Sequence, residues 1–117
     1  MKKVYYLGTC STCQKIIASL GGLDNFEHRE IKSQPITPEE LDAMKQLSGS
    51  YESLFTRRSM QYKARNLKDQ TLTEDDYRNL ILDHYSFLAR PVFIIGDKIY
   101  IGNSKKSVDG VRDALNV

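Results

Sequence analysis

The sequence is poor in the features that mark several functional classes. No apolar run approaches the about 20 residues that a helix needs to cross a bilayer. The run Val4-Tyr5-Tyr6-Leu7-Gly8 is too short for the apolar centre of a signal peptide and reads as a strand. Charge of one sign is scarce as well: 17 Lys and Arg face 15 Asp and Glu, a formal net charge of +2. A dedicated nucleic-acid binder must offset a dense row of phosphates, so direct nucleic-acid contact is not expected. There are only two cysteines and two histidines. A structural zinc site wants four ligands, and His28 and His84 lack ligand spacing, so no metal is expected. No Gly-rich phosphate loop and no Ser-His-Asp arrangement stands out. Without an export signal, a reducing cytoplasm is the expected compartment. There, two cysteines are more often reactive or metal-binding than a structural staple.

What is present fits one domain spanning residues 1–117. The hydrophobic fraction of 40% and charged fraction of 27% are those of an ordinary globular protein. Lys3 to Leu7 is a β-prone run ending at Gly8-Thr9-Cys10, and Ser11 to Leu20 reads as a helix. Ile16, Ile17 and Leu20 share its inner face, and Gly21-Gly22 stops it. Phe26 to Ile31 suits a second strand. Thr37-Pro38-Glu39-Glu40 is a strong helix start, with Thr37 as cap, Pro38 in the first turn and Glu40 completing a capping box. Leu41, Met44 and Leu47 are the expected buried face. Tyr51 to Leu67 reads as irregular helix. Thr73 opens another helix carrying Tyr77, Leu80, Ile81 and Tyr85 at helical spacing. Two β-prone runs, Pro91 to Ile95 and Lys98 to Ile101, flank a Gly96-Asp97 turn. Ser104 to Leu115 closes the chain as a helix with Val108, Val111 and Leu115 inward. The order is βαβ, then helices over about 37–87, then ββα. This predicts an α/β thioredoxin-like fold with a mixed four-stranded sheet and a helical insertion between its halves.

The pair Cys10-Ser11-Thr12-Cys13 lies straight after a strand, at the first turn of a helix. A helix N-terminus offers unpaired N–H groups and a partial positive charge, which favour thiolate over thiol. The thiolate is the nucleophile, so Cys10 is the candidate attacking group. Cys13 is one turn further on and can reach it as resolving thiol. An inert pair of buried thiols is the competing reading, and a strand-to-helix junction is a poor place to hide them. Lys63, Arg65 and Lys68 read as a solvated helical face, Arg57 as a solvated charge, and His28 and His84 as packing or capping residues.

Tyr5 to Lys15 with its Cys-loop, Phe55-Thr56-Arg57-Arg58 followed by Tyr62 and Asn66-Leu67, and Leu88-Ala89-Arg90-Pro91-Val92 together resemble the ArsC-like family. That family includes glutaredoxin-coupled arsenate reductases and Spx-type transcriptional regulators, and the resemblance covers essentially the whole chain. It implies a thioredoxin-like fold in which Pro91 follows a cis bond and faces the reactive cysteine, holding Arg90 near Cys10. It also implies Cys10 as nucleophile, Cys13 as its partner, and Arg58 and Arg90 as oxyanion ligands, the latter able to bind bidentately. Thr9, Ser11, Thr12 and Pro91 are the remaining expected substrate contacts.

Two activities follow from the resemblance. One is thiol oxidoreduction on a small oxyanion or thiol substrate, such as reduction of arsenate to arsenite, with glutathione and glutaredoxin or thioredoxin as external reductant and no bound cofactor. The other is redox sensing, with a Cys10–Cys13 disulfide switch controlling binding to the RNA polymerase α-subunit. Two positions depart from the reductase pattern. Its third arginine falls at Gly102-Asn103, and its histidine four residues before the cysteine is Tyr6. Losing one charge-assisted hydrogen bond weakens oxyanion binding by roughly 1.5–3 kcal/mol.

Overall fold

Lys2–Tyr6 forms the first strand, β1, with adjacent Val4 and Tyr5 both buried, one on each face. The computed structural model describes residues 2–116. After β1 come α1 (Ser11–Ser19), β2 (Glu27–Glu30), α2 (Pro38–Ser48), α3 (Met60–Ala64), α4 (Glu74–Asp83), β3 (Val92–Ile95), β4 (Lys98–Ile101) and α5 (Lys105–Leu115). The four strands form one mixed sheet in the order β2-β1-β3-β4. β1 runs parallel to β2, with Tyr6 opposite Glu30, and antiparallel to β3, which pairs antiparallel with β4. Ile95 faces Lys98, so Gly96-Asp97 is a two-residue turn in which Gly96 supplies a φ of 62°. This is the thioredoxin-like arrangement expected from the order of elements.

The chain separates into two compact units, one running to Gln34 and resuming at Arg90, the other Pro35–Ala89. In the first, Val4 and Phe93 from the sheet pack with Leu20, Leu23, Phe26 and Val111, while Ile16, Ile17 and Leu115 close the edges. Burying side chains of this size stabilises by about 1.5–3 kcal/mol each, before the entropy of ordering them is counted. Val111 is the fully buried residue of α5; Val108 is only partly covered.

In the second unit Phe55 stacks on Phe87, with centroids 5.2 Å apart, and meets the edges of Tyr62 and Tyr77. Thr37 and Glu40 close the expected capping box on α2, and Thr73 with Asp76 forms a second on α4. Three expectations change here. Leu47 is 38% exposed while Leu41 and Met44 are fully buried. It lies six residues after Leu41, about 120° round the helix, and so turns off the inner stripe. The segment from Tyr51 to Leu67 is not one helix. It is a 3₁₀ turn at Glu52–Leu54, an extended Phe55 bridged to Leu88, and the short α3, which Ser59 caps and Asn66 ends in the left-handed region. Tyr85 lies beyond α4, which stops at Asp83 with His84 as C-cap; Tyr85 opens a 3₁₀ turn capped by His84 Nδ1.

Two charges read as solvated are also tied down. Arg57 Nη2 donates to Glu52 and to Tyr77 Oη, each at 3.0 Å. Arg65 pairs with Asp83 at 2.7 Å and lies over the Phe87 ring. Among the described residues, no helix is long and apolar enough to cross a membrane and no cluster of His, Cys, Asp and Glu is arranged to hold a metal ion.

Candidate functional site

The end of β1 leads through Leu7 into a tight turn, where the Cys10 amide donates to the Leu7 carbonyl at 3.0 Å. This turn places Cys10 as the N-cap of α1, with extended backbone at φ −88° and ψ 107°. Its carbonyl accepts from Gln14 N at 3.1 Å, and its sulfur accepts from the Cys13 amide at 3.4 Å. A sulfur therefore stands where an Asp or Ser side chain ordinarily caps a helix. Burial is the largest influence on the Cys10 thiol and opposes ionisation. The Cys13 amide, the Cys13 side chain, the Arg90 charge and the Thr12 amide together outweigh it and hold the thiol below its usual pKa. Cys10 is partly exposed and free.

Cys13 behaves oppositely. Its side chain points inward and is fully buried. Burial pushes its thiol up to about 11; the Leu7 amide and Arg90 favour the thiolate, while the Cys10 side chain and charge oppose it. The pair thus consists of one accessible, acidified sulfur and one covered, protonated sulfur a turn away.

Arg90 comes from the far half of the sequence. The peptide bond between Arg90 and Pro91 is cis, and Pro91 is buried at the entry to β3, the strand beside β1. Topology thus lets the Arg90 charge act on a thiol eighty positions earlier. Thr9, Ser11 and Thr12 are exposed around the loop. Gly102, on the turn after β4, donates its amide to the Pro91 carbonyl at 2.8 Å, so that loop adds backbone and no cation beside Pro91.

Arg58 belongs to the second unit. It is exposed, its amide bonds Thr56 Oγ1 at 3.2 Å, and among the described residues its guanidinium meets no carboxylate or acceptor. Of the two adjacent arginines it is the one available for a ligand.

Nothing in the residue pattern shows how the Cys-loop is held. The Gly8 amide donates to Glu30 Oε2 at 2.7 Å, and the Gly8 carbonyl accepts from the Gln14 side chain. Glu30 ends β2, directly opposite Tyr6. Only that register could have pointed to Glu30.

The sequence pattern of the ArsC family matches residues 5–111. The chain belongs to the ArsC family. Within it, the chain is 26% identical to the global transcriptional regulator Spx 2 of Bacillus anthracis, over all of this chain and 95% of that one. Among solved structures, an ArsC-family-related protein from Bacteroides fragilis is 26% identical, with a TM-score of 0.78 over 94% of this chain and 96% of its own. A possible arsenate reductase from Streptococcus mutans is 27% identical, with a TM-score of 0.73 over 93% and 98%. This ArsC-family member therefore has relatives named on both the regulatory and the enzymatic side.

Proposed function

We propose that the protein is a redox-responsive regulator of the Spx kind, in which Cys10 and Cys13 pass between dithiol and disulfide. The observation that carries this is the pairing of an acidified, partly exposed Cys10 with a buried Cys13 whose amide caps it one turn on. A peroxide takes two electrons from the Cys10 thiolate, giving a sulfenic acid and an alcohol or water. The Cys13 sulfur then displaces the sulfenic oxygen, which leaves as water with the Cys13 proton. Glutaredoxin, thioredoxin or glutathione returns two electrons and two protons. Oxidation replaces the thiolate that accepts the Cys13 amide bond and so alters the first turn of α1. The weak net charge fits a protein partner, the RNA polymerase α-subunit, better than direct DNA contact. The work is cytoplasmic and needs no bound metal or cofactor.

Capture of purified α-subunit by the dithiol and disulfide forms tests this reading. Binding that differs several-fold between the two forms, with the difference lost in Cys10→Ser, supports it; equal binding or none removes it.

A second reading is favoured by the similar structure described as a possible arsenate reductase. In that reading Cys10 attacks arsenate, Arg90 holds the oxyanion, and two thiols supply the electrons that release arsenite, themselves ending as a disulfide. The bare turn at Gly102-Asn103 counts against it. NADPH consumption with arsenate, glutathione, glutaredoxin and glutathione reductase, abolished in Cys10→Ser, would establish this reading instead.

A further inference from the structure

Between the last residue of β1 and the first of α1 the chain has no regular structure to hold it, yet the chemistry of Cys10 depends on where that loop sits. The peptide groups of Gly8 are gripped from both sides. Glu30 Oε2, from the end of β2, accepts the Gly8 N–H at 2.7 Å. The amide of the Gln14 side chain, one turn into α1, folds back to donate to the Gly8 carbonyl. The other oxygen of Glu30 is itself fixed, accepting from Ser33 N at 2.8 Å and Ser33 Oγ at 2.9 Å. A Cβ on Gly8 would meet Glu30 Cγ at 3.3 Å, tighter than ordinary contact, so the residue without a side chain lets the carboxylate close in. The Gly8 and Ser33 amides hold the Glu30 carboxyl below its usual range, so the grip is ionised at neutral pH.

We infer that Glu30 and Gln14 are positioning residues for Cys10, clamping the Gly8 peptide so that the Cys10 sulfur stays on the Cys13 amide at the start of α1. The inference rests on Cys10 being the reactive thiol, but neither residue touches that sulfur. With the clamp released, the loop frays, the N-cap bond is lost for part of the time, and the thiol drifts toward its free value of about 8.5.

The sign of the effect separates this role from plain electrostatics. Deleting a nearby negative charge acidifies a thiol, whereas losing the clamp makes it less acidic. The rate of iodoacetamide alkylation of Cys10 against pH, the exchange rate of the Gly8 amide and the melting temperature are measured for wild type, Glu30→Ala, Glu30→Gln and Gln14→Ala. The clamp predicts that Glu30→Ala and Gln14→Ala alkylate about three- to tenfold more slowly at pH 7. Glu30→Gln, which keeps an acceptor oxygen, recovers part of the rate. Folded variants that alkylate at the wild-type rate or faster overturn the inference, as does a lower melting temperature with an unchanged alkylation profile. Should wild-type Cys10 itself titrate as a free thiol, the reactive-thiol reading fails. The clamp is then judged by the wild-type Gly8 amide alone, whose fast exchange would overturn it.

Discussion

Cys10 and Cys13 sit one helical turn apart and are driven in opposite directions, the first sulfur toward the thiolate and the second away from it. The Cys13 amide that donates to Cys10 belongs to the residue whose own thiol lies buried behind the turn. The opposite ionisation tendencies of the two thiols are thus set by position on a single turn.

The Arg90 charge favours the thiolate at both sulfurs, and Cys10 is the one that solvent can reach. Arg90→Ala should raise the pH midpoint of Cys10 alkylation, since an opposite charge near an ionising group favours its charged form. Arg90→Lys should recover part of the change. Mass spectrometry after labelling at pH 7.5 should find the reagent on Cys10, and on Cys13 only after denaturation. Equal labelling of both thiols in the folded protein would show that the inward placement of Cys13 does not govern its reactivity.

Arg57 and Arg58 should separate cleanly. Arg57→Ala removes the contacts with Glu52 and Tyr77 and should lower stability by about 0.2–1 kcal/mol, as for an exposed ion pair. Arg58→Ala should leave the melting temperature nearly unchanged. In calorimetric titration with arsenate or sulfate, oxyanion affinity should fall in Arg58→Ala and hold in Arg57→Ala.

Tyr100 makes a glycine indispensable in α5. A Cβ on Gly110 would lie 2.8 Å from Tyr100 Cε1 and 2.9 Å from Cδ1. Gly110→Ala should therefore destabilise by about 1–3 kcal/mol through overpacking, despite the gain of up to about 1 kcal/mol from helix propensity. In a Tyr100→Ala background the same change should become neutral or stabilising. Urea unfolding of the four proteins gives the coupling directly.

Asp42 links α2 to α4. It accepts from Tyr51 Oη at 2.6 Å and from Arg78 Nε at 2.8 Å. Arg78 and Tyr51 hold its carboxyl at about 2. The folded pKa is depressed, so its contribution to stability is complete above the unfolded value of about 3.9 and vanishes as pH falls toward 2. Melting temperatures of wild type and Asp42→Asn should differ at pH 6 and converge near pH 2. A constant gap across that range would mean that the ion pair is not what distinguishes them.

Elements whose signals lie within a few residues are legible in the amino-acid pattern. Thr37 and Glu40 declare a helix start because both halves of a capping box lie within one turn. The two-residue turn at Gly96-Asp97 is similarly local. Tyr51 to Leu67 misleads because its composition suits a helix, while Phe55 pairs with Leu88 and Asn66 turns left-handed, choices made by distant packing. In the site, the Cys10-Ser11-Thr12-Cys13 spacing is visible, but Glu30 is hidden because its role depends on the register of β2 against β1.

By itself the sequence settled the order of strands and helices and the placing of Cys10 at a helix start, since helix caps, strand runs and turn residues act over about one turn of chain. Tertiary structure alone decided that Arg90 would influence Cys10, that Arg57 would be occupied while Arg58 stayed available, and that Glu30 would reach Gly8. Each of those outcomes needs two groups far apart in sequence to meet. Strand pairing and side-chain packing bring them together, and no local pattern encodes which distant partner that will be.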